Sequence, residues 1–439
     1  MVDKDLFLYD LAVVAILRDE GHYLKEWLDY HLVAGVDHFY LYDNGSTDNQ
    51  AEVAKPYVES GLVDYIPFPG KVMQMVAYND AVKRFKFHCR YMAFIDGDEF
   101  IYPRAIKADG ERYSIVEVLD EVFSQFPNAA GLSINWNRYG SNEQEKADYS
   151  RGVLERFTRR APRDWFCGKK GDFGNAHVKT IANPRRIKST YAHIPTFYKD
   201  YCSVNALGKV AQYYFSTPPT SEKIVVNHYI YKSREEYLIK IERGSAANIN
   251  REKKIELFDN EKNFHNKEFD DSILEYRDIR TKVYQPPEPR TDEDLIKALE
   301  KNCHPLFLTN TPPEFYERNM ETFLTCRSLA SYLQSKFPDN ARIKFLEKAS
   351  LHAILKALSR EVSIADMNLL IKDLPNLLPL PYPVVNDLRK ACMSTAIYKK
   401  FQDDTSRLLS KLMEDLHLQE NTLENFYMLD YLRDFLRRI

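Results

Sequence analysis

Short apolar runs alternate with helix-length segments in the first part of the chain, and this alternation constrains the fold more than any other feature. Residues Leu11–Leu17 are apolar without a break, which is typical of a parallel strand buried on both faces. Runs at 38–42, 63–67 and 91–95 predict further strands, and the segments between them are long enough for helices. Strands separated by helices indicate an α/β domain with a mostly parallel sheet.

Polar residues follow three of these predicted strands. In open α/β sheets, ligands bind outside the carboxyl ends of the strands, so side chains from several strand ends can share one crevice. The clusters are Arg18-Asp19-Glu20 after the first strand, Asp43-Asn44-Gly45-Ser46 after the second, and Asp96-Gly97-Asp98-Glu99 after the fourth. Their common position predicts one functional site built from all three.

Asp96 and Asp98 are candidate metal ligands. Residues two apart in an extended segment point to the same side, so both carboxylates can contact one cation. Mg²⁺ and Mn²⁺ prefer oxygen ligands and are often shared with phosphate oxygens. Such a metal offsets the charge that develops on a departing diphosphate. The alternative for this segment is an acidic, solvated turn.

Asp43 and its neighbours are candidate nucleotide ligands. We expect Asp43 to accept hydrogen bonds from a base or a ribose. The alternative is a plain turn, since Asn-Gly favours turns by itself. Arg18 and Glu20 are expected beside the nucleotide, where a cation can contact the diphosphate. Their alternative is an exposed ion pair, which contributes little to stability.

Composition excludes several classes of protein. Lys and Arg total 61 against 64 Asp and Glu, and the net charge of −3 argues against a nucleic-acid partner. No apolar run approaches the roughly 18 residues of a membrane span. The N-terminus lacks the basic and apolar regions of a secretory signal. The six cysteines contain no CxxC pair, so we expect a protein of the reducing cytoplasm without a transmembrane segment.

A Pro-rich, charged stretch at 285–292 divides the chain. Upstream the pattern mixes strands and helices, and downstream it is helical almost throughout, with an interruption at Leu374–Pro383. We therefore predict an α/β domain at 1–284 and an all-α domain at 285–439. Helical extensions can form homo-oligomers or dock on a membrane surface, although no basic amphipathic stripe is evident here.

Eight blocks of sequence occur in a recognisable order over about residues 8–245. They are Ile16–His31, Gly35–Asp48, Gln74–Asp80, Ala93–Phe100, Glu155–Arg160, Lys179–Pro184, Asn227–Ser233 and Lys240–Gly244. This ordered series resembles glycosyltransferase family 92 and the related family 2. Each block alone has little specificity, and it is their order that carries the resemblance.

The resemblance implies a GT-A (Rossmann-like) fold, a nucleotide-sugar donor and a divalent metal, usually Mn²⁺. It also implies that Asp96 and Asp98 form the DxD pair and that His228 is a third metal ligand. A core or capping histidine is the alternative for His228. Trp136 has core packing as its alternative, since large aromatic side chains are usually buried. The other predicted contacts are Arg18, Glu20, Asp43, Asn44, Ser46 and Gln74 to the nucleotide, and Asn135 and Trp136 to the sugar.

An inverting transfer requires a base that removes the proton from the acceptor hydroxyl. Asp164, Asp172 and His193 are the candidates in the acceptor-side region. We assign the role to Asp172, because it lies among glycines in Lys169–Gly174, a composition that lets a loop approach a ligand closely. The alternative is a plain charged loop, and the sequence does not choose firmly among the three residues.

The predicted function is that of a metal-dependent, inverting glycosyltransferase. It would move a sugar from a UDP-sugar to a glycan or glycolipid acceptor in the synthesis of bacterial surface polysaccharide or lipopolysaccharide. One alternative is a sugar-phosphate nucleotidyltransferase, which would favour a Gly-rich, basic loop where this chain has Arg18–His22. Another is a non-catalytic carbohydrate-binding or scaffold protein with a decayed site, against which the intact Asp43, Asp96 and Asp98 argue.

Overall fold

The chain divides into two compact units, Tyr9–Glu288 and a second unit that joins Met1–Leu8 to Pro289–Ile439. The computed structural model describes residues 2–165, 174–244, 258, 264–286, 290–303, 315, 318–344, 346–347 and 350. The predicted domains, 1–284 and 285–439, differ from these units mainly at the N-terminus, because Leu6 packs among the buried residues of the second unit. That the two domains are separable remains a prediction.

The first unit is built on a nine-stranded mixed sheet, with further two-stranded sheets among its described residues. The strands are β1 (Tyr9–Leu17), β2 (His38–Asp43), β3 (Val63–Pro67), β4 (Cys89–Phe94), β5 (Glu99–Pro103), β6 (Ala129–Arg138), β7 (Arg159–Arg160), β8 (Val178–Ala182), β9 (Ile187–Ser189), β10 (Thr196–Phe197), β11 (Cys202–Val204), β12 (Ile224–His228) and β13 (Glu268–Phe269). The helices are α1 (Gly21–Ala34), α2 (Gln50–Glu59), α3 (Gln74–Phe85), α4 (Ile115–Gln125), α5 (Val153–Arg156), α6 (Arg234–Arg243) and α7 (Ser272–Val283).

The strand order of the large sheet is β3-β2-β1-β4-β8-β6-β12-β5, and β11 pairs with β6. The four strands predicted from apolar runs, β1 to β4, pair in parallel, which confirms that prediction. Strand β8 is antiparallel to β4 and β6, and β12 is antiparallel to β5. Leu17 lies opposite Asp43, and Val14 lies opposite Phe94. The carboxyl ends of β1, β2 and β4 therefore meet at one edge of the sheet.

Helix α1 anchors the start of β5 from one face of the sheet. The indole Nε1 of Trp27 donates to the Glu99 carbonyl at 2.8 Å, and the Tyr30 hydroxyl donates to the Ile101 carbonyl at 2.9 Å. The helix ends at Gly35, whose φ of +106° lies in the left-handed region that glycine adopts without strain. Because α1 holds β5 by its backbone, it also positions Glu99 at the functional edge.

The second unit contains helices α8 (Asp292–Cys303) and α9 (Met320–Lys336) among its described residues. Apolar side chains of both helices, including Leu299 and Phe323, pack in one cluster with Leu6. These helices agree with the predicted all-α region, whereas the interruption predicted at Leu374–Pro383 lies outside the described residues. In the described ranges, no helix has the length and apolar character needed to cross a membrane.

Candidate active site

The loops after β1 and β2 are joined by hydrogen bonds around Asp19. Its backbone N–H donates to the Ser46 hydroxyl at 3.0 Å. Its carboxylate Oδ1 accepts from the backbone N–H groups of Thr47 at 2.7 Å and Asp48 at 3.3 Å. Asp19 has a φ of +52°, so the backbone turns sharply where β1 ends. The structure therefore brings the first two predicted clusters together through Asp19, a residue that the sequence analysis gave no role.

Asp43 and Asn44 shape the turn that was predicted to bind a nucleotide. Asp43 Oδ1 accepts from the Ser46 backbone N–H at 2.9 Å, which closes the turn on itself. The Asn44 amide donates to the carbonyls of Phe68 and Gly70, both at 3.0 Å. Asn44 therefore ties this turn to the loop after β3. Nucleotide binding by Asp43, Asn44 and Ser46 remains a prediction.

Asp96 is held by an amide and an ammonium. Gln74 Nε2 donates to Asp96 Oδ1 at 2.8 Å, and Lys179 Nζ donates to Asp96 Oδ2 at 2.9 Å. Lys179 also lies 3.3 Å from Glu99 Oε2. Burial opposes ionisation of Asp96, but the neighbouring Lys179 outweighs it and lowers the pKa of Asp96. Burial raises the pKa of Glu99 to about 8. Gln74 thus lies beside Asp96, and its side chain orients that carboxylate.

Asp98 faces His228 and Lys240. Antiparallel pairing of β12 with β5 sets His228 opposite Glu99, which brings the imidazole to the acidic turn. His228 Nε2 lies 3.5 Å from Asp98 Oδ1, and Lys240 Nζ lies 2.5 Å from Asp98 Oδ2. Burial opposes ionisation of Asp98, yet Lys240 and His228 hold its pKa well below the usual range. Burial lowers the pKa of His228, which favours the neutral imidazole that metal binding requires.

Asp98 and His228 fit two positions on a divalent cation. Two neighbouring ligands on an octahedral ion, each about 2.1 Å from the metal, are about 3 Å apart, and the 3.5 Å between Asp98 Oδ1 and His228 Nε2 is close to that spacing. Asp96 is turned toward Gln74 and Lys179 instead. Within the described ranges, no three His, Cys, Asp or Glu side chains lie close enough together to hold a metal. The remaining ligands would have to come from a bound phosphate or from water.

Trp136 lies against three histidines beside this cluster. Its ring centroid is 4.5 Å from that of His228, 4.9 Å from that of His177 and 5.4 Å from that of His193. The indole Nε1 is buried and has no hydrogen-bond partner among the described residues. A buried donor without a partner costs free energy unless a ligand satisfies it. Trp136 therefore presents a largely buried ring against His228, the neighbour of Asp98.

Asn135 uses both ends of its amide within the protein. The Nδ2 group donates to the carbonyls of Asn175, Ala176 and Ser216 at 3.0 to 3.3 Å. The Oδ1 atom accepts from the Thr220 backbone N–H at 3.0 Å. These contacts join separate segments of the chain and give Asn135 a structural role. Sugar binding by Asn135 remains a prediction without support from its contacts.

The candidates for the base differ in position. Asp172 lies outside the described residues, and Asp164 is exposed on a loop. His193 Nδ1 lies 2.8 Å from the Val178 carbonyl, so this nitrogen is the donor and Nε2 carries the lone pair. Burial, with the nearby Lys179 charge, lowers the pKa of His193 to about 3. The neutral ring lies beside Trp136, whose own ring lies against His228.

Comparison with known proteins identifies the family. The sequence profile of glycosyltransferase family 92 matches residues 14–277, which is more than half of the chain. The chain belongs to glycosyltransferase family 92. The match includes the strands and turns that carry the site described above, and the α/β sheet has the GT-A fold that the sequence predicted.

Two relatives are plant proteins. A glycosyltransferase family 92 protein of Ricinus communis is 25% identical over 245 residues, which cover 55% of this chain and 38% of that protein. The galactan beta-1,4-galactosyltransferase GALS2 of Arabidopsis thaliana is 34% identical over 113 residues, 24% of this chain and 21% of that protein. The chain thus spans less than half the length of the curated relatives it matches.

Among solved structures, that of S. aureus TarS 1–349 is similar over 91% of each chain, with 11% identity and a TM-score of 0.24. That similarity is too low for a comparison of the two sites.

Four cations of this family 92 chain contact carboxylates of the acidic cluster or of Glu20, and the sequence analysis assigned a role to none of them. Lys179 is the only charged residue of strand β8, a signal that could have identified it. Arg243 donates from NH1 to the carbonyls of Arg18 and Asp19 at 2.8 and 2.9 Å, and its NH2 contacts Glu20. The other two cations are Lys232 and Lys240.

Proposed function

We propose that the chain is a glycosyltransferase that transfers a sugar from a nucleotide-sugar donor to a hydroxyl of a glycan acceptor. The observation that carries this proposal is the meeting of Asp98, His228 and Trp136 at the carboxyl ends of the sheet. Carboxylate and imidazole groups suit a metal–diphosphate complex, and an aromatic ring suits the apolar face of a sugar. Ligands bind at this edge in open α/β sheets.

We place the donor nucleoside, a uridine, against the turn that contains Asp43 and Ser46. This turn is held to the β1 end through Asp19, so a base or ribose bound there lies at the same edge as the acidic cluster. Gln74 contributes by orienting Asp96. The Arg18 guanidinium is half exposed and lies near the diphosphate end of the proposed donor position.

A divalent cation, Mn²⁺ or Mg²⁺, would be held by Asp98 and His228, and it would offset negative charge on the leaving diphosphate. Asp96 supports this site from the first position of the acidic turn, where Lys179 and Gln74 fix its carboxylate. We assign the Trp136 ring, which lies against His228, to the sugar of the donor. The site therefore has distinct groups for metal, diphosphate and sugar.

An inverting reaction would require a base on the acceptor side, and we retain Asp172 for that role. His193 is the strongest rival among the described residues, because its lone pair on Nε2 belongs to a ring packed against Trp136. Its low pKa counts against strong basicity. Kinetics of matched variants can separate the two residues.

The acceptor belongs to the glycan class by analogy with the relatives, two of which are named galactan beta-1,4-galactosyltransferases of Arabidopsis thaliana. The relatives reported are plant proteins, so they give no support to the predicted bacterial setting. A glycolipid acceptor, a cytoplasmic location and peripheral contact with a membrane remain proposals. Self-association through the helical unit is a further proposal, which light scattering of the full-length chain would test.

The experiment is a screen of UDP- and GDP-sugars with the full-length chain, with and without Mn²⁺. Release of nucleoside diphosphate from one donor, stimulated by Mn²⁺ and by an added β-galactan oligosaccharide, is the expected result. A nucleotidyltransferase would instead release pyrophosphate from a nucleoside triphosphate and a sugar phosphate. A carbohydrate-binding scaffold would bind the oligosaccharide and release no nucleotide from any donor.

A further inference from the structure

Lys232 is buried, and its ammonium has no hydrogen-bond partner among the described residues. The residue is 5% exposed. Its nearest charged neighbour is Glu20, whose Oε2 lies 3.7 Å from Nζ. The ammonium also lies 3.7 Å from the centroid of the Tyr23 ring. An ammonium has three donors, and leaving them unused in a buried position costs free energy unless a ligand accepts from them.

Two further cations lie in the same cluster, on helix α6. Lys240 and Arg243 are three residues apart and therefore share a face of the helix. Lys240 contacts Asp98, and Arg243 contacts Glu20, so the carboxylates of Asp98 and Glu20 are each already paired with a cation. Lys232 is the third cation of this group, and it is the one of the three that donates no hydrogen bond to a described residue.

The position of helix α6 is held by a buried ion pair. Ser233 caps the helix, and Glu236 completes the capping box. The two terminal guanidinium nitrogens of Arg156 donate to Glu236, at 2.7 and 2.9 Å. A bidentate pair of this kind fixes direction as well as distance. The helix is thus held so that Lys240 and Arg243 point at the acidic turn and at the β1 end.

We propose that Lys232, together with Lys240 and Arg243, binds the diphosphate of the nucleotide-sugar donor, with Lys232 supplying hydrogen bonds that it makes to no described residue of the protein. This inference rests on the proposed function, since it assigns residues to one part of the proposed donor. A diphosphate matches the cluster because it is anionic, carries several acceptor oxygens and would lie beside the proposed metal ligands Asp98 and His228. These cations would also neutralise the diphosphate as the sugar leaves it.

The test measures binding to the full-length chain by titration calorimetry. The probes are UDP, GDP, uridine and inorganic pyrophosphate, each in EDTA and again with Mn²⁺. Lys232→Met removes the charge and keeps most of the side-chain volume, and we expect it to weaken binding of the preferred nucleoside diphosphate about tenfold or more. Binding of uridine, which has no phosphate, should be unchanged. Lys232→Arg should recover part of the lost affinity, because it restores a cation.

Lys146→Met is the matched control. Lys146 is exposed and pairs with Glu235 of helix α6. Lys146→Met should therefore change neither the affinity for the nucleoside diphosphate nor the affinity for uridine. If Lys232→Met fails to fold, as judged by its thermal unfolding, Lys240→Met gives the same comparison with a less buried lysine. Equal diphosphate affinity in wild type and in the folded lysine variant overturns this inference while leaving the proposed function intact. If the wild-type chain binds neither UDP nor GDP under either condition, the proposed function fails, and the inference fails with it.

Discussion

Lys240 Nζ lies 2.5 Å from Oδ2 of Asp98, although 142 positions separate the two residues in the chain. The same ammonium donates to the Ile230 carbonyl at 2.9 Å, so it is held between the segment that precedes helix α6 and the acidic turn. The carboxylate proposed to hold a metal is therefore already paired with a cation. Any divalent ion at Asp98 must share or displace that lysine, so metal and lysine compete for one group.

Replacing Asp98 with Asn should reduce sugar transfer by about 10²-fold or more, because loss of a charged ligand removes several kcal/mol of metal-assisted charge stabilisation. The fold should survive, since Asn keeps the size of the side chain. Turnover of the identified donor at several Mn²⁺ concentrations is the measurement. Asp109→Asn, on an exposed loop, is the control. Ordinary turnover by the Asp98 variant at low Mn²⁺ would remove Asp98 from the metal site.

Replacing Lys240 with Met should have opposite effects on two ligands. Affinity for Mn²⁺ alone should rise, because Asp98 loses its competing cation. Affinity for UDP in EDTA should fall, because one of three proposed diphosphate contacts is removed. Electron paramagnetic resonance of free Mn²⁺ and calorimetry with UDP measure the two effects separately. A fall in Mn²⁺ affinity would show that Lys240 supports the metal site instead of competing with it.

The buried pair of Arg156 and Glu236 predicts a pH-dependent stability. Burial opposes ionisation of Glu236, but Arg156 and Ser233 lower its pKa from 4.5 to about 2. A carboxylate with a lowered pKa in the folded state stabilises the protein above the pKa of the unfolded state. This contribution, about 3 kcal/mol from the shift, is present above about pH 4.5 and is lost as the pH falls toward 2.

Urea unfolding of wild type and Glu236→Gln at pH 7 and pH 3 tests that prediction. The variant should be less stable by about 3 kcal/mol at pH 7, since it leaves Arg156 buried without its partner. The difference should shrink at pH 3. Glu235→Gln removes a neighbouring, more exposed glutamate and should have little effect. A difference that is equal at both pH values would assign the loss to packing instead of charge.

The sequence predicted the sheet well because buried parallel strands must be apolar along their whole length. Leu11–Leu17 carries that signal alone, and β1 spans it. It also located Asp96 and Asp98, since residues directly after a strand must lie at its carboxyl end. This inference uses only neighbouring residues in the sequence, so it predicts the location of residues directly after a strand and of no others.

Contacts between distant segments were not predictable in this way. Lys179 and Asp96 are 83 positions apart, and only the antiparallel pairing of β8 with β4 brings them together. The family resemblance implied that Asn135 binds sugar, but its amide donates to backbone carbonyls 40 or more positions away. A buried polar residue in a strand must form hydrogen bonds, but the sequence does not show which groups it bonds to.

The identity of the base is the last prediction. If Asp172 removes the acceptor proton, Asp172→Asn should slow transfer by about 10²-fold or more, the scale of general-base catalysis. Donor affinity should change little, because the groups at Asp98 and the Asp43 turn are untouched. His193→Ala and Asp164→Asn are the matched comparisons.

Rates of acceptor transfer and of donor hydrolysis, measured on all three variants, separate a base from a donor ligand. A base variant should lose transfer while still binding UDP, and its residual rate should lose the pH dependence set by that group. His193 lies against Trp136, so its loss should also weaken binding of the donor sugar. Normal transfer by Asp172→Asn, together with an inactive His193→Ala that binds UDP normally, would assign the base to His193. Asp164 is exposed on its loop, and an inactive Asp164→Asn with intact donor binding would assign the role there.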